Sequence, residues 1–105
     1  MFIILDYDET YTADPHLWDT FISSAKLRGH TLICCTFRFA DKMDNFDVER
    51  DMQKHGINIV YAAHHPNKWD AVRHAGYNPE NAIWIDDSPH IITVSAPIIF
   101  GGGSS

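Results

Sequence analysis

Three short apolar runs of this sequence end in side chains that could do chemistry together. The polar residues at their ends are Asp6, Thr36 and the adjacent pair Asp86 and Asp87. Wholly apolar runs of this length are typical of strands buried on both faces of a parallel sheet. Parallel strands end at one edge of the sheet, which is where α/β proteins bind ligands. We therefore expect these four side chains to meet at one site.

A cluster of carboxylates at that edge would need a cation. Like charges in a partly buried site raise one another's pKa or require a counterion. The side chains of Asp6, Asp86 and Asp87 offer only oxygen ligands. Oxygen ligands select a hard cation, so we expect Mg²⁺.

Two further residues complete a possible reaction centre. Asp8 follows Asp6 by two positions, so past the strand end it can turn back over the same site. One acid could then attack a substrate while the other carries a proton. Lys68 begins a predicted helix and can direct its ammonium at the carboxylates, and Thr36 supplies a hydroxyl donor. These are the parts that phosphoryl transfer requires.

The order of these features resembles a known family. An apolar run followed by Asp-x-Asp-x-Thr at residues 6–10 comes first, and a run ending in Thr36 comes second. A helix-initial Lys68 and a run ending in Asp86-Asp87 follow. Over residues 2–87 the pattern resembles the four motifs of the haloacid dehalogenase-like (HAD-like) hydrolase superfamily. Each motif alone is unspecific, whereas all four in this order form a specific combination.

The resemblance implies a phosphatase that hydrolyses a phosphomonoester. Asp6 would be the nucleophile and would form an aspartyl-phosphate. Asp8 would protonate the leaving oxygen and later activate water, and the superfamily's dehalogenases lack this second acid. Thr36 and Lys68 would bind the transferring phosphoryl group.

The resemblance also implies a set of metal ligands. Mg²⁺ would be bound by Asp6, by the backbone carbonyl of Asp8 and by Asp86. Asp87 would be a further ligand or would support the others.

The sequence departs from the family pattern in two ways. Glu9 stands where the commonest first motif has Gly, so a permissive residue is replaced by a charged one. The chain also has no room for a cap domain. Capless members generally act on large or exposed phosphoesters, so the expected substrate is a phosphorylated molecule, large or nucleotide-like, or a neighbouring subunit lends a lid. Arg38 is placed to contact the substrate phosphate as the chain leaves the second strand.

The remaining patterns predict a single α/β domain over residues 1–100, followed by a flexible Gly/Ser tail over residues 101–105. We expect a Rossmann-like three-layer sandwich with a parallel sheet of about five strands and no cap domain. The predicted strands are residues 2–5, 31–36, 57–62, 82–85 and 98–100, the last after a turn at Pro97. The predicted helices run from Pro15 to Gly29, over about residues 43–55, and from the capping Asn67 to Gly76.

Composition excludes several classes of protein. The chain has 105 residues, 45% of them hydrophobic, and a net charge of −6, which disfavours a basic nucleic-acid-binding face. The adjacent Cys34 and Cys35 cannot build a disulfide scaffold, and we expect them on opposite faces of a strand. The sequence shows neither a signal peptide nor an apolar run long enough to span a membrane. These features predict a cytoplasmic protein without a membrane partner.

Two other kinds of protein share some of these features, and only the first agrees with the order of the motifs. A noncatalytic HAD-like module could bind a phosphorylated ligand or partner, although such a module has no need of the pair Asp6 and Asp8. A response-regulator receiver also combines an acidic pair with Asp, Thr and Lys. In a receiver, however, the acidic pair follows the first strand and the Lys comes late, whereas here Lys68 precedes the pair Asp86-Asp87.

Overall fold

A computed structural model of the chain describes residues 1–41, 43–92 and 98–101. The strands are β1 (Phe2–Leu5), β2 (Thr31–Thr36), β3 (Asn58–Tyr61), β4 (Ile83–Asp86) and β5 (Ile98–Gly101). The helices are α1 (Pro15–Leu27), α2 (Phe46–His55) and α3 (Lys68–His74). Short 3-10 helices cover Tyr11–Ala13, Met43–Asn45 and Pro89–Ile91. The predicted turn at Pro97 and residues 102–105 of the predicted tail lie outside the described residues.

The strands form one parallel sheet in the order β3-β2-β1-β4-β5. At the centre, Leu5 of β1 lies opposite Cys34 of β2 on one side and Ile85 of β4 on the other. The α/β class and the parallel sheet are therefore confirmed. Four strands, β1–β4, hold the described core and the expected site. β5 extends the sheet only by a short backbone pairing with β4.

Helices pack on both faces of this sheet. Ile22 of α1 and Met52 of α2 belong to one buried apolar cluster, whereas Val72 of α3 belongs to the other. Successive side chains of a strand point to opposite faces of the sheet. Cys34 therefore belongs to the first cluster and Cys35 to the second, on opposite faces as predicted. This layering is compatible with a Rossmann-like sandwich. In the described residues, no helix is long and apolar enough to cross a membrane.

Local capping explains where the helices begin. The side chain of Asp14 accepts a hydrogen bond from Leu17 N at 3.2 Å, and Pro15 is the first residue of α1. Asn67 caps α3 in the same way, since its Oδ1 accepts from Asp70 N at 2.8 Å. Both starts were predicted from the sequence.

Several other boundaries differ from the expected ones. β3 ends at Tyr61 rather than at residue 62, and β4 spans Ile83–Asp86 rather than residues 82–85. α2 begins at Phe46, because residues Met43–Asn45 form a 3-10 turn instead of its first turn. β3 begins at Asn58 rather than at Ile57. The backbone N–H of Ile57 is used in ending α2, where it donates to Met52 O at 3.2 Å.

The turn that follows β1 contains a strained residue. Glu9 has a φ of +68°, the only positive value among the described residues other than glycine. The turn is closed by Glu9 N donating to Thr12 Oγ1 at 3.0 Å and by Thr12 N donating to Tyr7 O at 3.1 Å. This left-handed conformation costs an L-residue about 1–2 kcal/mol and costs glycine little.

Replacing Glu9 by glycine should therefore stabilise the fold. We expect Glu9→Gly to raise the free energy of unfolding by roughly 0.5–1 kcal/mol in a urea titration, after the larger backbone entropy of glycine is subtracted. The exposed helical variant Gln53→Gly is the matched control and should lower it by about 0.5–1 kcal/mol. Equal destabilisation by both substitutions would show that the turn does not strain Glu9.

Candidate functional site

The carboxyl ends of β1, β2 and β4 meet at a small cleft. Its volume is about 180 Å³, and it is open to solvent at the edge of the sheet. The charged side chains that line it are Asp6, Asp8, Glu9, Lys68, Asp86 and Asp87. The parallel sheet therefore brings the predicted acids of β1 and β4 together with the predicted lysine.

Lys68 forms the centre of this site. Its ammonium donates to Asp6 Oδ1 at 2.7 Å and to Asp86 Oδ2 at 2.6 Å. Lys68 is only 1% exposed. The position follows from local structure, because Asn67 caps α3 and Lys68 is the first residue of that helix. One buried cation thus connects α3 to the ends of β1 and β4.

Additional hydrogen bonds hold the two carboxylates of this bridge. Thr10 Oγ1 donates to Asp6 Oδ2 at 3.0 Å and lies 3.4 Å from Asp87 Oδ1. Ser88 N donates to Asp86 Oδ1 at 2.9 Å. Thr10 is the last residue of the Asp-x-Asp-x-Thr motif, and the sequence alone assigns it no separate role. Its contact with both acidic segments makes it a positioning residue.

The carboxylates outnumber the cation. One oxygen from each of Asp6, Asp86 and Asp87 lies within 4.8 Å of the others. With all three carboxylates ionised, the one positive charge of Lys68 leaves a charge of −2 in a mostly buried cluster. An all-oxygen group with this charge fits a hard divalent cation such as Mg²⁺.

The pKa values of Asp6 and Lys68 reflect this excess of negative charge. Burial raises the pKa of Asp6 to about 7, and the charge of Asp86 adds to that rise while Lys68 opposes it. Burial alone would lower the pKa of Lys68, but Asp6 and Asp86 outweigh burial and the pKa is raised. The ammonium is thus firmly charged, whereas the Asp6 carboxylate lacks sufficient positive charge around it.

Asp8 lies apart from this cluster. Its Oδ1 accepts from Arg38 Nη2 at 2.6 Å, and its Oδ2 accepts from Arg38 Nε at 2.9 Å. Thr36 Oγ1 donates to Asp8 Oδ2 at 3.4 Å. Thr36 is therefore beside Asp8 rather than in the bridge of Lys68. The three side chains expected to bind metal, those of Asp6, Asp86 and Asp87, converge. For Asp8 the expected ligand is the backbone carbonyl, and its carboxylate pairs with Arg38 instead.

Arg38 is held by carboxylates on two sides. Besides Asp8, it donates to the two oxygens of Asp47 at 2.8 and 3.2 Å and to Asp44 O at 3.1 Å. Its guanidinium also lies 5.2 Å from the ring centre of Tyr7. A guanidinium has five N–H donors, and these bonds use all of them. A phosphate contact by Arg38, as expected from the sequence, would therefore have to replace one of these bonds.

Asp47 was not identified from the sequence. It lies in the first turn of α2, where an acid is readily interpreted as favouring the helix dipole. Its ion pair with Arg38 spans nine residues and depends on how α2 packs beside β2. No local pattern signals such a contact.

Comparisons of the chain with protein-family models, with curated proteins and with solved structures find no match.

The raised pKa of Asp6 predicts how the stability of the fold depends on pH. The pKa of Asp6 is about 7 in the folded state, and the ordinary value is 3.8. Between pH 3.8 and pH 7, Asp6 therefore stays protonated in the folded state but is ionised in the unfolded state. In chelator, the parent protein should therefore lose stability as pH rises from about 4 to 7. Asp6→Asn, which is neutral and of similar shape, should be more stable than the parent above pH 7 by roughly 1–3 kcal/mol.

The measurement is urea unfolding in EDTA at several pH values between 5 and 8. The advantage of Asp6→Asn should shrink as the pH falls towards 5. The exposed Asp70→Asn variant controls for the loss of a carboxylate as such. Parallel stability curves for the parent and Asp6→Asn would contradict the crowding of charge at this site.

Proposed function

We propose that this protein is a Mg²⁺-dependent phosphatase of the HAD-like type, a capless Rossmann-like enzyme that hydrolyses a phosphomonoester through Asp6. The observation that carries the proposal is the bridge of Lys68 between Asp6 and Asp86 at the carboxyl edge of the sheet. A buried ammonium beside a carboxylate is suited to a reaction in which a dianionic phosphoryl group approaches a nucleophilic anion.

Asp6 fits the role of the nucleophile. A carboxylate oxygen of Asp6 would attack phosphorus, the ester P–O bond would break, and the leaving oxygen would take a proton. Lys68 and Thr10 fix both oxygens of Asp6, so the nucleophile is oriented before a substrate arrives. Water would then attack the phosphorus of the aspartyl-phosphate, releasing inorganic phosphate and restoring Asp6.

Asp8 is the proposed proton carrier. It would give its proton to the leaving oxygen and take one from the attacking water. For this, at least one carboxylate oxygen of Asp8 must leave Arg38 and turn towards the cleft. Asp47 lets this happen at limited cost, because Arg38 keeps that carboxylate partner when Asp8 moves. Thr36, which contacts Asp8, would bind a phosphoryl oxygen once Asp8 has turned.

The proposed metal site consists of Asp6, Asp86 and Asp87, together with the backbone carbonyl of Asp8. Bound Mg²⁺ would supply positive charge for the phosphoryl oxygens and for the crowded carboxylates. Asp87 belongs to this group of carboxylates and also contacts Thr10. It is less buried than Asp86.

The arrangement of Asp8 also supports a second candidate, a noncatalytic module that binds a phosphorylated ligand. Both oxygens of Asp8 accept bonds from Arg38. A module that never releases Asp8 would bind phosphate without cleaving an ester. The experiment on Asp6 below separates the two functions.

The test of the proposed reaction is the substitution of Asp6. With Mg²⁺ present, the parent should release phosphate from members of a phosphomonoester panel, and Asp6→Asn should lower the rate at least about 1,000-fold because an amide cannot act as the nucleophile. The control Asp70→Asn should keep the parent's rate. Acid quenching during turnover should trap a phosphoryl group on Asp6 of the parent, detected by peptide mass spectrometry.

Two outcomes would contradict this reaction. Equal rates for Asp6→Asn and the parent would exclude Asp6 as the nucleophile. Binding of phosphate esters with no hydrolysis of any of them would favour the noncatalytic module.

Metal binding should stabilise the folded protein. Mg²⁺ at ten times its Kd would add about 1.4 kcal/mol, which corresponds to roughly 6–11 °C in Tm for a domain near this size. Asp86→Asn and, as a milder variant, Asp87→Asn should reduce the shift between Mg²⁺ and EDTA. Asp44→Asn, an exposed acid outside the cluster, should retain it. Coincident melting curves of the parent in Mg²⁺ and EDTA would remove the metal from the proposal.

A further inference from the structure

Glu9 stands between the catalytic cleft and a larger apolar groove. It lines the cleft with Asp6 and Phe37, and it also lines the groove. The groove has a volume of about 560 Å³ and runs along α1, with Ala13, Leu17, Trp18 and Phe21 among its lining residues. Asp86 and Asp87 line both cavities as well, so the cavities adjoin. A leaving group that extends from a phosphoryl group at Asp6 towards α1 would therefore lie near Glu9.

The charge around this passage is negative and not neutralised by the protein. Among the described lining residues of both cavities, Lys68 is the only lysine or arginine. Its ammonium is already bonded to Asp6 and Asp86. The described part of the chain contains no ion pair of Glu9, whose side chain is exposed.

An aromatic ring lies on the same cleft. Phe37 follows Thr36 at the end of β2 and is 43% exposed. An aromatic face attracts a cation that comes within about 6 Å of the ring centre. The carboxylate of Glu9 and the ring of Phe37 therefore favour the same kind of ligand group, a positive charge.

We infer that Glu9 determines substrate specificity, by favouring phosphomonoesters whose alcohol carries a cation and disfavouring those whose alcohol carries a further negative charge. This inference rests on the proposed phosphatase function and names the substrate class of the same site. Lys68 and the proposed metal ligands would hold the phosphoryl group, which all phosphomonoesters share, so the charge of Glu9 discriminates among them through the leaving group. Polyphosphates and carboxylate-bearing phosphates should be poor substrates, because the carboxylate of Glu9 would repel their additional negative charge.

The experiment compares three substrates with the same two-carbon skeleton and different charges. They are 2-aminoethyl phosphate, 2-hydroxyethyl phosphate and carboxymethyl phosphate, which place a positive, a neutral and a negative group beside the ester. The measured quantity is kcat/KM for phosphate release in Mg²⁺, with Asp6→Asn as the blank. For the parent we expect the amine to exceed the hydroxyl by about 3-fold to 10-fold, as solvent-exposed charge pairs and cation–π contacts allow. The carboxylate should fall below the hydroxyl.

Variants then assign the preference to Glu9. Glu9→Gln retains the size and the strained backbone but removes the charge, so it should lower the amine-to-hydroxyl ratio at least about 2-fold, and any remaining preference belongs to Phe37. Glu9→Lys should invert the order, with the carboxylate first. Glu80→Gln removes an exposed acid outside both cavities and should leave the parent's ratios unchanged. High salt should weaken the parent's preference, since the charge of Glu9 is exposed.

The outcomes separate this inference from the function beneath it. Hydrolysis of the three substrates at equal kcat/KM by the parent, or a preference that Glu9→Gln leaves intact, would overturn the role of Glu9 and leave the phosphatase standing. An absence of Asp6-dependent hydrolysis with all three substrates and with the wider panel would overturn both.

Discussion

The ammonium of Lys68 is the contact on which the rest of this site depends. It is buried, and it lies within 2.7 Å of a carboxylate oxygen of Asp6 and of Asp86. A buried ion costs several kcal/mol in lost hydration, which only close and well-oriented partners offset. Loss of Lys68 would leave Asp6 and Asp86 buried without a cation. The geometry of β1, β4 and α3 is thus connected by charge as well as by apolar packing.

The charges at the edge of the sheet divide into two groups. Lys68 forms ion pairs with Asp6 and Asp86, and Arg38 forms ion pairs with Asp8 and Asp47. Asp6 and Asp8 are two residues apart in the sequence but belong to different groups, because the turn after β1 directs their side chains to different cations. The first group is buried and has more negative than positive charge. The second group is more exposed and lies against α2. Breaking one of its ion pairs therefore costs less free energy than breaking a buried ion pair of Lys68.

Much of this arrangement was predictable from local patterns. The bounds of β1 and β2 agree with the apolar runs, because a strand covered on both faces needs an unbroken series of apolar residues. The caps Asp14 and Asn67 marked the helix starts, since each satisfies a free backbone N–H of a first turn. The boundary of β3 was wrong by one residue at its start, because the N–H of Ile57 bonds to the preceding helix. Boundaries of this kind depend on a competition between two elements for one donor.

The sequence by itself determined which residues end the strands and begin α3, and therefore that Asp6, Lys68 and Asp86 would share one edge of a parallel sheet. Strand alternation and capping are local effects, so they can be predicted without the partner. Only the tertiary structure decided how those charges pair. Lys68 and Asp6 are 62 residues apart, and Arg38 meets Asp8 across 30 residues and Asp47 across nine. These choices depend on side-chain rotamers and on the packing of α2 and α3 against opposite faces, and such long-range interactions have no signature in a short stretch of sequence.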